Sequence, residues 1–119
     1  MREKKFRWLK IAGHVNEIEL AENNIAEIEV RGKKVCIGKH NDQLFAFAHK
    51  CPHAGGLLAN GFIDRSGNVV CPVHRYRYDL RNGRSTSGEG YFLKNWPLEM
   101  RPDGVFIGME EGAGFWNLF

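Results

Sequence analysis

An all-β fold is predicted by three features of this chain: short runs rich in alternating or β-branched residues, turn residues between them at close intervals, and no helical period of any length. Trp8 to Ala12 reads as the first strand. Ile25 to Val30 is the second, alternating toward Ile28 and Val30, and Arg31-Gly32-Lys33 turns the chain. Val35 to His40 and Leu44 to Ala48 follow, joined at Asn41-Asp42, a hairpin signal. Phe62 to Asp64 and Asn68 to Val70 flank Ser66-Gly67 and form another hairpin. Tyr76 to Leu80 is the next strand and turns at Asn82-Gly83. Pro102-Asp103-Gly104 joins the last pair, Trp96 to Met100 and Val105 to Met109. There are no internal repeats. Residues 1–112 read as one domain, and 113–119 as a tail carrying Phe115, Trp116, Leu118 and Phe119.

The composition sets bounds on function. A chain of 119 residues is one domain with a modest core, and its 43% hydrophobic and 12% aromatic fractions are those of a folded soluble protein. No apolar run is long enough to span a bilayer, and Phe6-Arg7-Trp8-Leu9-Lys10 is no signal-peptide core, so a cytoplasmic location is expected. The net charge of +3 is mild, and the basic residues form no arm with interleaved aromatics, which leaves nucleic-acid binding without support. They are densest at Arg75, Arg77, Arg81 and Arg84. That group is either a solvated loop or a docking surface for an acidic partner. No glycine-rich nucleotide fingerprint is present.

The chemistry concentrates in two half-sites, Cys51-Pro52-His53 and Cys71-Pro72-Val73-His74. Each supplies one sulfur and one imidazole nitrogen, whereas a zinc finger usually presents a Cys pair and then a His pair. The same four residues could still bind a tetrahedral structural zinc. Both half-sites sit on loops leaving strands. Pro52 and Pro72 stiffen those loops, and Gly55-Gly56 lets the backbone approach a bound group closely. The third cysteine, Cys36, lies in Lys34-Val35-Cys36-Ile37-Gly38 and reads as a small buried hydrophobe. His14, His40 and His49 lack such pairing and read as surface residues.

From Trp8 to about Met109, and most specifically from Cys51 to Asp79, the chain resembles the Rieske-type [2Fe–2S] ferredoxins. The resemblance implies antiparallel sheets with a small inserted cluster-binding subdomain. It implies one [2Fe–2S] cluster, with Cys51 and Cys71 on the inner iron and His53 and His74 on the outer. Ser87-Gly88-Glu89-Gly90 looks like the loop that covers the cluster in this family. Tyr78 matches the family's aromatic position and keeps a hydroxyl that could donate to a ligand sulfur.

Three departures from high-potential members are informative. Gly56 and Val73 stand where those members carry a pair of bridging cysteines, Tyr76 stands where they carry a serine, and Arg75 replaces a common glycine. An adjacent cation at Arg75 favours a reduced cluster. The lost bridge suits a reducing compartment. Rieske potentials span roughly −150 to +300 mV against about −400 mV for plant-type ferredoxins, because two neutral imidazoles replace two thiolates. Without the disulfide and the serine, the low end of that range is expected.

The implied function is a soluble one-electron carrier, with no catalytic residues of its own, passing electrons from a flavin reductase to a Rieske non-haem iron oxygenase. The alternatives are the small subunit of an assimilatory nitrite reductase and a zinc-bound structural module.

Overall fold

The computed structural model describes residues 6–53, 55–88 and 90–110. The tail at 113–119 lies outside them. The chain divides into two compact units, one made of its two ends through Ile18 and from Trp96, the other of Glu19–Asn95.

In the first unit, β1 (Phe6–Ala12), β9 (Leu98–Arg101) and β10 (Gly104–Glu110) form an antiparallel sheet in the order β1-β10-β9. Pairing runs from Phe6 with Glu110 to Ala12 with Val105, with a register shift between Lys10 and Ala12. Val105 and Ile107 are its fully buried side chains. One turn of 3-10 helix, Val15–Glu17, follows β1, and the exposed His14 caps it by accepting a hydrogen bond from the Asn16 amide at 3.1 Å.

The second unit holds β2 (Ile25–Val30), β3 (Lys33–His40) and β4 (Gln43–Ala48); β8 (Asn95–Trp96), whose first residue is the last of that unit, completes the sheet in the order β2-β3-β4-β8. Both hairpins have two-residue loops. Arg31 and Gly32 (φ 52° and 80°) and Asn41 and Asp42 (φ 51° and 63°) all sit in the left-handed region. That is the pattern of the turn whose twist matches antiparallel strands. A smaller sheet, β5-β6-β7, is built from β5 (Phe62–Ile63), β6 (Asn68–Val70) and β7 (Arg77–Asp79). Asp64 sets the β5–β6 turn by accepting from the amides of Ser66 and Asn68 at 2.9 and 3.0 Å.

The predicted class is correct, and the differences are local. The run Trp96 to Met100 is not one strand. It breaks at Pro97, which has no N–H for a ladder, into β8 and β9 in different sheets. A second 3-10 turn, Leu58–Asn60, follows the first half-site and buries Leu58 completely. Three-residue helices carry no period that a sequence pattern could reveal.

One buried cluster in the second unit joins its two sheets: Ile25, Cys36, Phe47, Leu58, Val69, Tyr78, Leu80 and Leu93, together with Cys51 and Cys71. Both half-sites thus rise directly from the core. At Gly61 a side chain is impossible, because a Cβ there would lie 1.9 Å from the Val70 carbonyl oxygen. That close approach anchors the end of β6 just before Cys71.

Candidate metal centre

The two half-sites are the same turn built twice. After β4, the Cys51 amide donates to the Gly56 carbonyl at 2.8 Å. After β6, the Cys71 amide donates to the Tyr76 carbonyl at 2.8 Å. Each loop therefore closes from its cysteine onto the fifth residue beyond. The first is also cinched at its neck, where the Leu58 amide donates to the His49 carbonyl at 2.9 Å and Lys50 bridges Leu57. Proline directly after each cysteine has no amide to leave unpaired inside the turn. Gly55 supplies a left-handed residue (φ 71°) in open space.

Gly56 has a different task. A Cβ on it would lie 2.6 Å from Val73 Cγ2 and 3.0 Å from Cys71 Sγ, so bare backbone lets the two loops pack. Gly56 and Val73 are thus neighbours, as the resemblance to bridged relatives implies.

The cysteines are deep. Cys51 is 2% and Cys71 1% exposed, and neither is in a disulfide. Burial pushes the Cys71 thiol up, and the adjacent Cys51 pushes it the same way. The Val73 amide, 3.4 Å from Cys71 Sγ, works against both. A buried thiol held up in this way becomes a thiolate readily once a metal supplies positive charge. Tyr78, fully buried, places its hydroxyl 3.2 Å from Cys51 Sγ. If Cys51 is a thiolate, only the hydroxyl has a proton to donate.

Cys36 packs in the same buried cluster, closer to the site in space than its sequence position implies. It reads as a hydrophobe there too. Desolvation, aided by Glu27, pushes its pKa up to about 12.

The imidazoles of His53 and His74 lie together, 4.9 Å between ring centroids. His53 Nδ1 is buried and has no hydrogen-bond partner. A buried polar atom of that kind needs an occupant, and an imidazole nitrogen is a natural metal ligand. Among the described residues no three Cys, His, Asp or Glu side chains gather as they would around one ion. Two buried sulfurs and two paired imidazoles are instead the donor set for two irons with two ligands each. The residues fit a [2Fe–2S] cluster better than a single zinc.

His74 is exposed at φ 99°, and Arg75 follows at φ 60°. Arg75 therefore occupies the left-handed conformation that glycine adopts freely, at a cost of about 1–2 kcal/mol. This accounts for glycine being common there in the family. Arg81 pairs with Asp79 through two bonds of 3.0 Å, and that pairing holds the Asp79 carboxyl below its usual range. Arg75, Arg77 and Arg84 are exposed.

Sequence reasoning noted Tyr76 only as the residue at the family's serine position and missed Tyr91. Tyr76 lies just before β7, which begins at Arg77; two residues from Tyr78, it falls on the same face by strand alternation and packs against the same buried cluster. Its ring lies on His53, 4.1 Å between centroids, and Tyr91 reaches the same imidazole at 5.3 Å. Tyr91 arrives from the segment after Ser87-Gly88, whose Glu89 lies outside the described residues. Ser87 Oγ accepts from the Arg77 amide at 3.0 Å and ties that segment to β7. Of the remaining histidines, His40 and His49 are half-buried rather than on the surface, since both belong to the sheet region supporting the loops.

A comparison with known families decides the classification: residues 8–92 match the Rieske [2Fe-2S] domain. The chain belongs to the Rieske family. Its cofactor is one [2Fe–2S] cluster. Among curated proteins it is 23% identical over 90 residues to the ferredoxin component of the naphthalene 1,2-dioxygenase system of Pseudomonas aeruginosa, covering 75% of this chain and 86% of that one. It is 36% identical over 70 residues to apoptosis-inducing factor 3 of mouse and human, covering 59% of this chain but only 11% of theirs.

Among solved structures, the carbazole 1,9a-dioxygenase ferredoxin from Nocardioides aromaticivorans IC177 superposes with a TM-score of 0.71 at 19% identity, covering 84% of this chain and 95% of that one. A chain assigned as an NADH-dependent nitrite reductase small subunit from Mycobacterium tuberculosis superposes at 0.72 with 14% identity, covering 87% and 96%. These two likenesses establish the all-β Rieske ferredoxin fold. Among the described residues no helix is long and apolar enough to cross a membrane.

Proposed function

We propose that this Rieske protein is a soluble one-electron carrier, the ferredoxin component that takes electrons from a flavin reductase and delivers them to a Rieske non-haem iron oxygenase. The observation that carries this reading is the pairing of buried Cys51 and Cys71 behind His53 and the exposed His74, with His53 Nδ1 left without a partner. In this reading Cys51 and Cys71 hold the inner iron and His53 and His74 the outer. The cluster, when bound, supplies a reversible one-electron couple. The chain's own residues do the rest. The two proline-stiffened loops fix the four ligands, the buried core excludes water from the sulfurs, and the Tyr78 hydroxyl offers Cys51 a proton to share.

Arg75, Arg77 and Arg84 form the docking face for an acidic redox partner. None of the three cysteines is in a disulfide, which suits a reducing, cytoplasmic setting. Ferredoxin components of dioxygenase systems are among the relatives, and a ferredoxin bound to the oxygenase of carbazole 1,9a-dioxygenase is among the structural neighbours, at a TM-score of 0.69. The nitrite reductase small subunit is the second reading, supported by the structural neighbour at 0.72.

Reductive titration tests the role. The visible absorption should bleach reversibly with one electron per chain, at a potential near the lower end of the Rieske range, roughly −150 mV. An NADH-driven flavin reductase of a dioxygenase system should reduce the protein at low salt and more slowly at high salt. Uptake of two electrons, or irreversible bleaching, contradicts the carrier role.

A further inference from the structure

We propose that Tyr76 is the positioning residue for His53. Its ring clamps the imidazole from one side while Tyr91 closes another, so that the two histidines of the site are unequal and His74 is the one left open to a partner. The inference rests on the cluster-ligand reading above and extends it to two residues that no ligand pattern includes.

The geometry is built from three segments of chain. His53 stands on the first ligand loop. Tyr76 is at the end of the second, where its own carbonyl accepts the Cys71 amide at 2.8 Å. The bond that closes the second loop therefore also fixes the backbone from which the tyrosine ring reaches across. Tyr91 comes from the third segment. The rings meet in a chain of tilted contacts: His53 to Tyr76 at 4.1 Å and 32°, His53 to Tyr91 at 5.3 Å, and Tyr76 to Tyr91 at 6.0 Å. His74 is not so held. It is exposed, and its separation from Tyr76 is 6.2 Å.

His53 Nδ1, buried and without a partner, is the nitrogen left for a metal, so the ring's orientation has to be set by something other than a hydrogen bond at that atom. A metal-ligating histidine ordinarily takes its orientation from a hydrogen bond at its other nitrogen. Here contact with the ring face does that work. A tilted aromatic ring packed against the imidazole restricts its movement and excludes water from that side, and preorganised ligands hold a metal more firmly than free ones. The phenol oxygen is not needed for this, only the ring.

The test compares wild type with Tyr76→Phe and Tyr76→Leu, all in the cluster-loaded form. Leucine keeps apolar bulk if alanine would loosen the loop. Two quantities are read: the rate at which a chelator bleaches the protein, and the spread of g values in the electron paramagnetic spectrum of the reduced form. Tyr76→Leu should lose its cluster a few-fold to about tenfold faster, as loss of one aromatic stack implies, and shift the g spread. Tyr76→Phe should match wild type in both. Matching spectra and rates in all three proteins overturn the positioning role while the cluster assignment stands. A change in Tyr76→Phe as large as in Tyr76→Leu also overturns it, since the hydroxyl would then be the acting group. Wild-type protein with no visible absorption overturns the ligand assignment and the positioning role together.

Discussion

Cys51→Ser and Cys71→Ser should each be purified without the visible absorption of a cluster, whereas Cys36→Ser should keep the wild-type spectrum. The contrast is a strong one, because all three cysteines lie in the same buried core and are almost equally inaccessible. What separates them is their setting. Cys51 and Cys71 each begin a turn that closes on the fifth residue beyond, and each faces the other. Cys36 sits mid-strand in β3, its thiol pushed up to about 12 with no second sulfur beside it.

A serine hydroxyl is a poor ligand for iron, so loss should far exceed the ~10–100-fold in affinity that changes around a ligand cost. Metal binding and folding share free energy in such sites, so the two loop variants should also melt earlier and exchange the amides of residues 51–58 and 71–77 faster. Iron analysis and amide exchange on the three variants check both halves. Cluster loss in Cys36→Ser would show that the ligand set is incomplete.

Tyr78→Phe should keep its cluster but lower its potential by about 30–60 mV. The hydroxyl lies 3.2 Å from Cys51 Sγ in a site with no exposure to water. A hydrogen bond to a charged group is worth about 1.5–3 kcal/mol, and the reduced state, being more negative, gains the larger share. Only the difference between redox states enters the potential. For a one-electron couple about 59 mV is a tenfold change in equilibrium constant, or about 1.4 kcal/mol, so half to all of that unit is a reasonable differential. Removing the hydroxyl therefore disfavours reduction and moves the potential down. Phenylalanine fills the same volume, so the core should be kept. Protein-film voltammetry measures the shift, and an unchanged potential would mean that the hydroxyl serves the core rather than the sulfur. Tyr76→Phe is not a neutral control by position, since Tyr76 also touches the site, but loss of its hydroxyl alone should leave the potential in place.

The sequence disclosed this fold most clearly where turn chemistry and strand composition agree. Arg31-Gly32, Asn41-Asp42 and Ser66-Gly67 mark hairpins that the structure places there. The half-sites were legible because Cys–Pro followed by His is a local pattern with its own ring and turn chemistry. The break at Pro97 follows from a missing N–H, a signal that was present but is outweighed by an apolar run when strands are read one at a time. The pairing of β1 with β10 was not legible, since it joins the first described residues to the last and no local pattern encodes such a partner. Tyr91 was hidden for the same reason: nothing near it in sequence points to His53. Tyr76, two residues before Tyr78, shares its face by strand alternation, so its side of the strand was legible and only its contact with His53 was not.

The most direct measurement of the central claim is the iron, acid-labile sulfide and zinc content of the purified protein, read together with the electron paramagnetic spectrum of its reduced form. Two irons and two sulfides per chain, with an average g below that of four-cysteine ferredoxins, are the predicted result. A colourless protein carrying one zinc per chain would contradict it.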